Sequence, residues 1–178
     1  MCLLIIGINA HPDYSLIIAA NRDEFYNRPK LPAHYWYDAP FLLAGKDLKA
    51  GGTWMGITKQ GKFAALTNYR DIPSIKENAP SRGHIVSDFL FNKNPANDYI
   101  EKISSLGNLY NGYNLILGDF FHLFYYSNVN NSRTFLNNGV YGLSNHLLDT
   151  DWFKVRESKK NFNEILSRKN IEVEKLFN

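Results

Sequence analysis

The chain has 178 residues, which corresponds to one domain that can bury a core without disulfide or metal support. With 44% hydrophobic and 21% charged residues, its composition is ordinary for a globular protein and excludes wholesale disorder. A net charge of +3 is too small to indicate nucleic acid or an anionic membrane surface as a partner. The single cysteine excludes an internal disulfide framework and a cysteine-rich zinc site.

The sequence also predicts where the protein works. No apolar run approaches the roughly 20 residues of a membrane-spanning helix. The opening residues MCLLIIGI lack the basic region and the cleavage site of a signal peptide. One unpaired cysteine fits a reducing compartment. These features together predict a soluble, cytoplasmic protein.

Two apolar runs open the chain, residues 3–8 and residues 16–20, on either side of a turn. Almost unbroken apolar runs of this length are typical of strands buried on both faces, and the short connection predicts an antiparallel hairpin. We expect both strands to lie centrally in a sheet. Residues 24–40 contain three prolines among several aromatic residues, and this pattern predicts a loop.

The rest of the chain alternates between strand and helix patterns. Strands are predicted at residues 52–58, 62–67, 113–117, 122–126 and 140–143, and helices begin near Ser81, Pro95 and Asp151. No Gly/Ser-rich linker separates these segments. The order predicts a single α+β domain over residues 1–178, with helices layered on antiparallel sheets.

Cys2 is the first candidate for chemistry. If Met1 is removed, a thiol and a free α-amine belong to the same residue, and an α-amine with a pKa of about 8 is partly unprotonated near neutral pH. Such an amine can accept the thiol proton without a separate histidine, as in N-terminal nucleophiles. From position alone, the alternative is a small buried residue that begins a strand.

The polar run Asn21-Arg22-Asp23-Glu24 follows the second apolar run directly. Counted from the turn, Cys2 and Arg22 are equally distant from the loop, so they are predicted to lie opposite each other across the strand pair. A nearby cation favours a thiolate, and Arg22 is therefore expected to lower the pKa of Cys2. The alternative is a surface Arg–Asp pair of little energetic weight.

Two asparagines each follow a predicted strand directly. Asn68 and Asn145 could donate a side-chain N–H to a developing oxyanion, although asparagine at a strand end is also a common turn former. The five histidines show no pair at the spacing of metal ligands, so no metal site is predicted.

Several short stretches occur in an order that is characteristic of one family. They are Met1-Cys2, Asn21-Arg22-Asp23-Glu24, Gly51-Gly52-Thr53-Trp54-Met55-Gly56, Leu66-Thr67-Asn68-Tyr69-Arg70, Ser81-Arg82-Gly83 and Tyr141-Gly142-Leu143-Ser144-Asn145. Together they resemble the NRDE family, which includes the eukaryotic transport-and-Golgi-organisation protein 2. The resemblance covers almost all of residues 1–155.

The resemblance implies both a fold and a chemistry. The family is similar to N-terminal-nucleophile (Ntn) hydrolases such as penicillin V acylase, which are four-layer αββα sandwiches. Carried over residue by residue, it implies Cys2 as nucleophile and base, Arg22 and Asp23 as its supports, and Asn68 and Asn145 as oxyanion donors. The implied activity is hydrolysis of a small acylated amide, with no cofactor and no metal.

A second function stays open at the level of the sequence. Eukaryotic members of the family are connected with haem trafficking, lipid or acyl-CoA metabolism and organisation of the secretory pathway. A non-catalytic carrier of haem or acyl-CoA would hold its ligand among aromatic residues such as Trp36, Tyr37 and Trp54. The sequence leaves the substrate open, and it does not decide whether the chain forms a homo-oligomer.

The chain departs from the family pattern in one respect. Members usually continue for several dozen residues beyond position 178. The related hydrolases also use an arginine late in the chain, which has no counterpart in this sequence. The resemblance therefore implies a sandwich that is short on its C-terminal side.

Overall fold

The computed structural model describes residues 2–24 and 27–176. Within these residues the strands are β1 Leu3–His11, β2 Tyr14–Asn21, β3 Lys30–Trp36, β4 Ala39–Asp47, β5 Met55–Thr58, β6 Lys62–Asn68, β7 Tyr113–Asp119, β8 Leu123–Ser127, β9 Ser132–Leu136 and β10 Gly139–Leu143. The helices are α1 Gly83–Phe91, α2 Ala96–Ser104 and α3 Phe153–Leu166. Short 3₁₀ turns occupy Ile72–Ser74, Gly107–Leu109 and Val173–Leu176.

The strands form two antiparallel sheets that pack face to face. One sheet has three strands in the order β10-β1-β2, and the other has seven in the order β3-β4-β5-β6-β7-β8-β9. Leu4, Ile6, Phe63 and Ile116 belong to the apolar core between the sheets. Helices α1 and α2 cover the outer face of the larger sheet, and α3 covers the outer face of the smaller one. The layers are therefore α, β, β and α, as the resemblance implied.

Strand β1 is buried on both faces, which confirms the prediction from its apolar run. Leu4 and Ile6 face the larger sheet, whereas Ile5 packs against α3. Helix α3 comes close to the sheet because glycines lie beneath it. A Cβ at Gly7 would be 3.1 Å from side-chain carbons of α3, and a Cβ at Gly142 would be 2.6 Å from Val155.

The predicted loop over residues 24–40 is wrong for most of its length. Strand β3 occupies Lys30–Trp36, and β4 begins at Ala39. Proline is compatible with β3 because this strand is the edge of the seven-stranded sheet, where a missing N–H need not break a ladder. Tyr26, which belongs to the same predicted loop, lies outside the described residues.

Strand β2 lies at an edge, whereas the sequence predicted a central position for both β1 and β2. In the described parts of the chain β2 pairs only with β1. No described helix is long and apolar enough to span a bilayer. The cytoplasmic location stays a prediction of the sequence.

Candidate functional site

The ends of four strands bring the predicted site residues together. In the β1–β2 pair Leu3 lies opposite Asn21, so the register continued by one residue sets Cys2 opposite Arg22. This agrees with the placement predicted from the lengths of the two apolar runs. On the other side of β1, Leu4 lies opposite Leu143, so the residues that follow β10 also reach the start of β1.

Groups from two sides act on Cys2. The backbone N–H of Asp23 acts on the thiol in the direction that lowers its pKa. The carbonyl oxygen of Cys2 accepts a hydrogen bond from the Ser144 hydroxyl at 2.7 Å. Cys2 therefore lies between the residues that follow β2 and those that follow β10.

The pKa of the Cys2 thiol is raised, and burial is the main cause. The N–H of Asp23 and the positive charge of Arg22 both act in the opposite direction, but burial outweighs them. The sequence predicted that Arg22 would lower this pKa. The direction of that contribution agrees with the prediction, and the net direction does not.

Arg22 belongs to a chain of ion pairs that lines the site. Its Nη2 lies 3.0 Å from Oε2 of Glu24, which also lies 3.9 Å from Nε of Arg28. Arg28 in turn donates from Nε to Asp47 at 3.1 Å. Burial alone would raise the pKa of Asp47, but its bonds from Arg28 and from two backbone N–H groups hold the pKa below its ordinary value. Sequence reasoning had not given Glu24 a role.

Two cavities open beside Cys2, of about 630 Å³ and about 580 Å³. Residues that line both are Cys2, Asp23, Glu24, Asn68, Arg82 and Asn111. Arg22 lines only the larger cavity, and Asn145 lines only the smaller one. The structure thus brings together all five residues that the sequence singled out, while their roles stay predictions.

The two candidate oxyanion donors are joined to each other. Asn145 donates from Nδ2 to the carbonyl oxygen of Asn68 at 2.8 Å, and its own carbonyl oxygen accepts from the N–H of Arg70, also at 2.8 Å. One N–H of the Asn145 amide is therefore used by this contact, and the second is left for other acceptors. The Asn68 side chain is exposed at the cavity wall.

A buried asparagine that sequence reasoning missed holds the loop after β10. Asn114 on β7 donates from Nδ2 to the carbonyl oxygen of His146 at 2.9 Å and accepts at Oδ1 from the Tyr125 hydroxyl at 2.8 Å. It also donates to Thr67 at 3.3 Å. A buried polar group must find such partners, and here they fix the residue next to Asn145.

The glycines of two motifs place Arg82 at the cavity. Gly52 precedes β5 and Gly83 begins α1, and a Cβ at Gly52 would lie 2.5 Å from the carbonyl carbon of Gly83. The two backbones can approach this closely only because Gly52 has no side chain. Arg82 then reaches the site and donates from Nη1 to the carbonyl oxygen of Gly112 at 2.8 Å. Burial lowers its pKa, against the charge of Glu24.

Lys154 adds a cation from the other side of the molecule. It lies in the first turn of α3, where burial lowers its pKa and the charges of Asp23 and Cys2 act in the opposite direction. No sequence pattern links residue 154 to residue 2, and only the packing of α3 on the small sheet brings them close.

The aromatic residues expected around a carried ligand do not lie together. Trp36 is buried in the core beneath α1 and α2, where its Nε1 donates to the carbonyl oxygen of Ala44. Tyr37 is fully exposed, and Trp54 lines the larger cavity. The predicted aromatic pocket is therefore wrong in two of its three members. Among the described residues no cluster has the composition of a metal site.

Comparison with known proteins assigns the family. The whole chain, residues 1–178, matches the family described as Transport and Golgi organisation 2. The chain belongs to this family. Relatives within it include the Transport and Golgi organization protein 2 homolog of Bos taurus, 41% identical over 94% of the chain. Another is the Transport and Golgi organization protein 2 of Drosophila melanogaster, 30% identical over 93%. The chain spans 65% of the length of each of these relatives.

The fold of this Transport and Golgi organisation 2 member is similar to that of an Ntn hydrolase. One similar solved structure is that of the Caenorhabditis elegans N-acylethanolamine-hydrolyzing acid amidase ortholog, which matches with a TM-score of 0.57. The match covers 99% of this chain and 84% of the other at 11% sequence identity. At such identity the similarity shows the shared fold alone, and it confirms the αββα sandwich implied by the sequence motifs.

Proposed function

We propose that the chain is a hydrolase of linear acyl amides that uses Cys2 as an N-terminal nucleophile. The observation that carries this proposal is the position of Cys2, which directly precedes β1, lies opposite Arg22 and lines two cavities. A partly buried thiol with a raised pKa is a poor nucleophile unless a base accepts its proton. Removal of Met1 would supply that base as the α-amine of Cys2 itself.

The proposed reaction has two stages. The α-amine accepts the thiol proton while Sγ bonds to the carbonyl carbon of the amide, and the amides of Asn68 and Asn145 stabilise the oxyanion. The protonated α-amine then gives its proton to the leaving nitrogen as the C–N bond breaks, which leaves a thioester on Cys2. Water hydrolyses the thioester with the α-amine as base, releasing the carboxylic acid and restoring the thiol.

Three features of the site support these roles. Arg22 lies opposite Cys2 and is held by Glu24, so its charge is fixed near the thiol. Asn145 is held in place by hydrogen bonds that join its side chain to Asn68 and its backbone carbonyl to Arg70. The C. elegans protein with the same fold is, by name, an amide-hydrolysing enzyme, which is consistent with an amide as the substrate class.

The test begins with a chain that mass spectrometry shows to lack Met1. We expect it to hydrolyse at least one member of a panel of N-acyl amides, and to form an acyl-enzyme adduct on Cys2 that hydroxylamine removes. A chain that keeps Met1 is the matched control and should be inactive, because its α-amine belongs to another residue. A Cys2→Ala variant as active as the processed chain would show that the proposal is wrong.

The cations around the larger cavity favour a second candidate, a carrier of an anionic acyl compound such as acyl-CoA. Lys30, Lys46 and Lys49 line this cavity together with the paired Arg22 and Arg28. A carrier needs these charges but not the thiol, so Cys2→Ala should bind palmitoyl-CoA as tightly as the wild type. Haem is the other ligand that a carrier of this kind could hold, and a shift in the haem absorption spectrum would report its binding. Amide hydrolysis that depends on Cys2 would decide against the carrier.

A further inference from the structure

Arg82 differs from Arg22 and Arg28 in having no carboxylate partner among the described residues. Arg22 and Arg28 each form an ion pair at the wall of the larger cavity. The Arg82 guanidinium donates from Nη1 to the backbone carbonyl oxygen of Gly112, and no described carboxylate lies within 4.0 Å of its nitrogens. Glu24 acts on Arg82 only through its charge at longer range.

A partly buried guanidinium without a carboxylate partner is unfavourable on its own. Burial lowers the pKa of Arg82, yet an arginine stays charged at neutral pH. A charge that has left water needs a partner to offset the lost hydration. The guanidinium has five N–H groups, and the bond to Gly112 uses one of them. The others match the two oxygens of a carboxylate, which arginine binds through two parallel hydrogen bonds.

The backbone around Arg82 holds this side chain at the cavity wall. The close approach of Gly52 to Gly83 fixes the next residue, and the N–H of Thr53 donates to the carbonyl oxygen of Gly83 at 3.3 Å. The carbonyl oxygen of Arg82 itself accepts from the N–H of Ile85 at 3.1 Å. Because the donor is already ordered, binding an anion there costs little further conformational entropy.

Arg82 lies where the two cavities beside Cys2 adjoin. Cys2, Asn68 and Arg82 all line both cavities. In the proposed reaction the amide carbonyl binds at Cys2 and Asn68, so the acyl part enters one cavity and the amine part enters the other. An anion that reaches Arg82 is therefore only a few bonds from the amide that is cleaved. A carboxylate attached close to the amide meets this requirement, whereas a phosphate at the far end of a long carrier group does not.

The two cavities differ in the character of their walls. The larger includes Lys30 and Lys49, which are exposed and form no ion pair with any carboxylate that the structure describes. The smaller includes the exposed aliphatic side chains of Ile72, Ile75 and Val129. Contact with an acyl chain would remove these side chains from water, which is favourable. The larger cavity therefore suits a charged amine part, and the smaller cavity suits the acyl chain.

We propose that Arg82 makes the site specific for N-acyl amino acids, which are acyl amides with a carboxylate on the carbon next to the amide nitrogen. The guanidinium binds this carboxylate while the acyl chain occupies the smaller cavity. Hydrolysis consumes one water, breaks the C–N bond of the amide, and releases a carboxylic acid and a free amino acid. The inference rests on the proposed function for this reaction, but binding of the carboxylate does not need the thiol.

The first experiment measures binding in the absence of catalysis. Calorimetric titration of Cys2→Ala compares N-decanoylglycine with N-decanoylethanolamine and N-decanoylglycinamide, which have the same acyl chain but no carboxylate. We expect N-decanoylglycine to bind at least about tenfold more tightly than either neutral amide, because hydrogen bonds to charged groups are stronger than those between neutral groups.

Variants of Arg82 in the Cys2→Ala chain test the origin of this preference. Arg82→Gln should bind all three compounds with similar affinity, and its unchanged affinity for N-decanoylethanolamine would show that it keeps the fold. Arg82→Lys keeps the charge without the two parallel donors, so it should retain part of the preference and serves as the test if Arg82→Gln does not fold. Arg133→Gln is the matched control, because it removes the same charge from exposed β9 outside both cavities.

The second experiment measures hydrolysis by the chain that lacks Met1. Its kcat/KM for N-decanoylglycine should exceed that for N-decanoylethanolamine at least about tenfold, and Arg82→Gln should remove the difference. It should also exceed the kcat/KM for N-decylsuccinamic acid, which carries its carboxylate on the acyl side of the amide.

The two experiments separate this inference from the proposed function. Binding of N-decanoylglycine that depends on Arg82, without any hydrolysis, would support the carboxylate site and contradict hydrolysis by Cys2. Three results would overturn the specificity inference: no tighter binding of N-decanoylglycine than of the neutral amides, a preference that both Arg82 variants leave intact, or faster hydrolysis of N-decylsuccinamic acid. Hydrolysis that depends on Cys2 would support the proposed function in each of these three cases.

Discussion

The Ser144 hydroxyl donates a 2.7 Å hydrogen bond to the carbonyl oxygen of Cys2. It connects the first residue before β1 to the first residue after β10, where the regular pairing of these two strands has ended. Ser144 is buried, and its neighbour Asn145 lines the smaller cavity. One hydroxyl therefore fixes the candidate nucleophile relative to a candidate oxyanion donor.

Replacing Ser144 by alanine should destabilise the protein and loosen the site. The partly buried Cys2 carbonyl would lose this hydrogen bond, and the loss of one hydrogen bond costs about 0.5–1.5 kcal/mol. The control is Ser104→Ala, because the Ser104 hydroxyl also donates to a backbone carbonyl, that of Glu101 at 2.8 Å, but on the surface. Urea unfolding measures both variants. Equal losses of free energy of unfolding in the two variants would show that the bond to Cys2 stabilises the fold no more than a surface hydrogen bond does.

Two buried tyrosines should respond in opposite ways to the loss of their hydroxyl groups. The hydroxyl of Tyr113 has no hydrogen-bond partner among the residues that the structure describes. The hydroxyl of Tyr99 donates to the carbonyl oxygen of Ile85 at 2.8 Å. Burial raises the pKa of both side chains, so both stay neutral and phenylalanine removes no charge.

Tyr113→Phe should therefore leave the free energy of unfolding unchanged or raise it by up to about 1 kcal/mol, because an unpaired polar group leaves the core. Tyr99→Phe should lower it by about 1 kcal/mol, because a hydrogen bond is lost and Ile85 keeps an unpaired carbonyl. Thermal unfolding of both variants provides the measurement. A loss in Tyr113→Phe as large as that in Tyr99→Phe would indicate a partner for the Tyr113 hydroxyl.

The parts of the fold that the sequence predicted well are those with short-range causes. The β1–β2 hairpin follows from two apolar runs and a short turn, and the same count placed Cys2 opposite Arg22. Strands β3 and β4 were missed because prolines and aromatic residues resemble a loop. A proline is compatible with a strand only at an edge, and edge position is a property of the whole sheet.

The sequence predicted which residues belong to the site, but not how their side chains contact each other or in which direction their pKa values shift. Motifs identified Arg22, but whether Glu24 or Asp23 binds its guanidinium depends on side-chain directions, and the structure shows Glu24. Asn114 and Lys154 were missed because β7 and α3 bring them to the site from distant parts of the sequence. The net direction of the Cys2 pKa was wrong because burial, which a sequence does not display, outweighs the charge of Arg22.

Gly52→Ala should displace the start of α1. The new Cβ would lie 2.5 Å from the backbone of Gly83, so one of the two segments must move, and overpacking of this kind costs about 1–3 kcal/mol. Gly107→Ala is the control, since its Cβ would meet its nearest neighbour, Asn128, at 3.3 Å. Chemical denaturation of both variants checks the difference. A Gly52→Ala protein as stable as Gly107→Ala would contradict this close approach.

Arg22→Gln should slow the reaction of Cys2 with iodoacetamide near neutral pH. The guanidinium charge favours the thiolate, so its removal raises the thiol pKa further and lowers the thiolate fraction. Arg133→Gln on β9 removes the same charge from an exposed strand and should leave the rate unchanged. Circular dichroism confirms that both variants keep the fold. Equal alkylation rates in the two variants would show that the charge of Arg22 does not affect the Cys2 thiol.

The raised pKa of Cys2 also predicts how stability depends on pH. Because burial disfavours the thiolate in the folded chain, the unfolded chain loses the thiol proton at a lower pH than the folded chain does. The contribution of Cys2 to stability is therefore complete below the ordinary thiol pKa of about 8.5 and decreases as the pH rises through the folded value.

Other groups also titrate at alkaline pH, so the measurement is the difference between the wild type and Cys2→Ser in chains that keep Met1. Between pH 7 and pH 10, the free energy of unfolding of the wild type should fall more steeply than that of the variant, because serine carries no proton that is lost in this range. The pH midpoint of iodoacetamide reactivity should lie above the ordinary thiol value in the same samples. Parallel stability curves, or a midpoint below that value, would show that the thiol is not held neutral by burial.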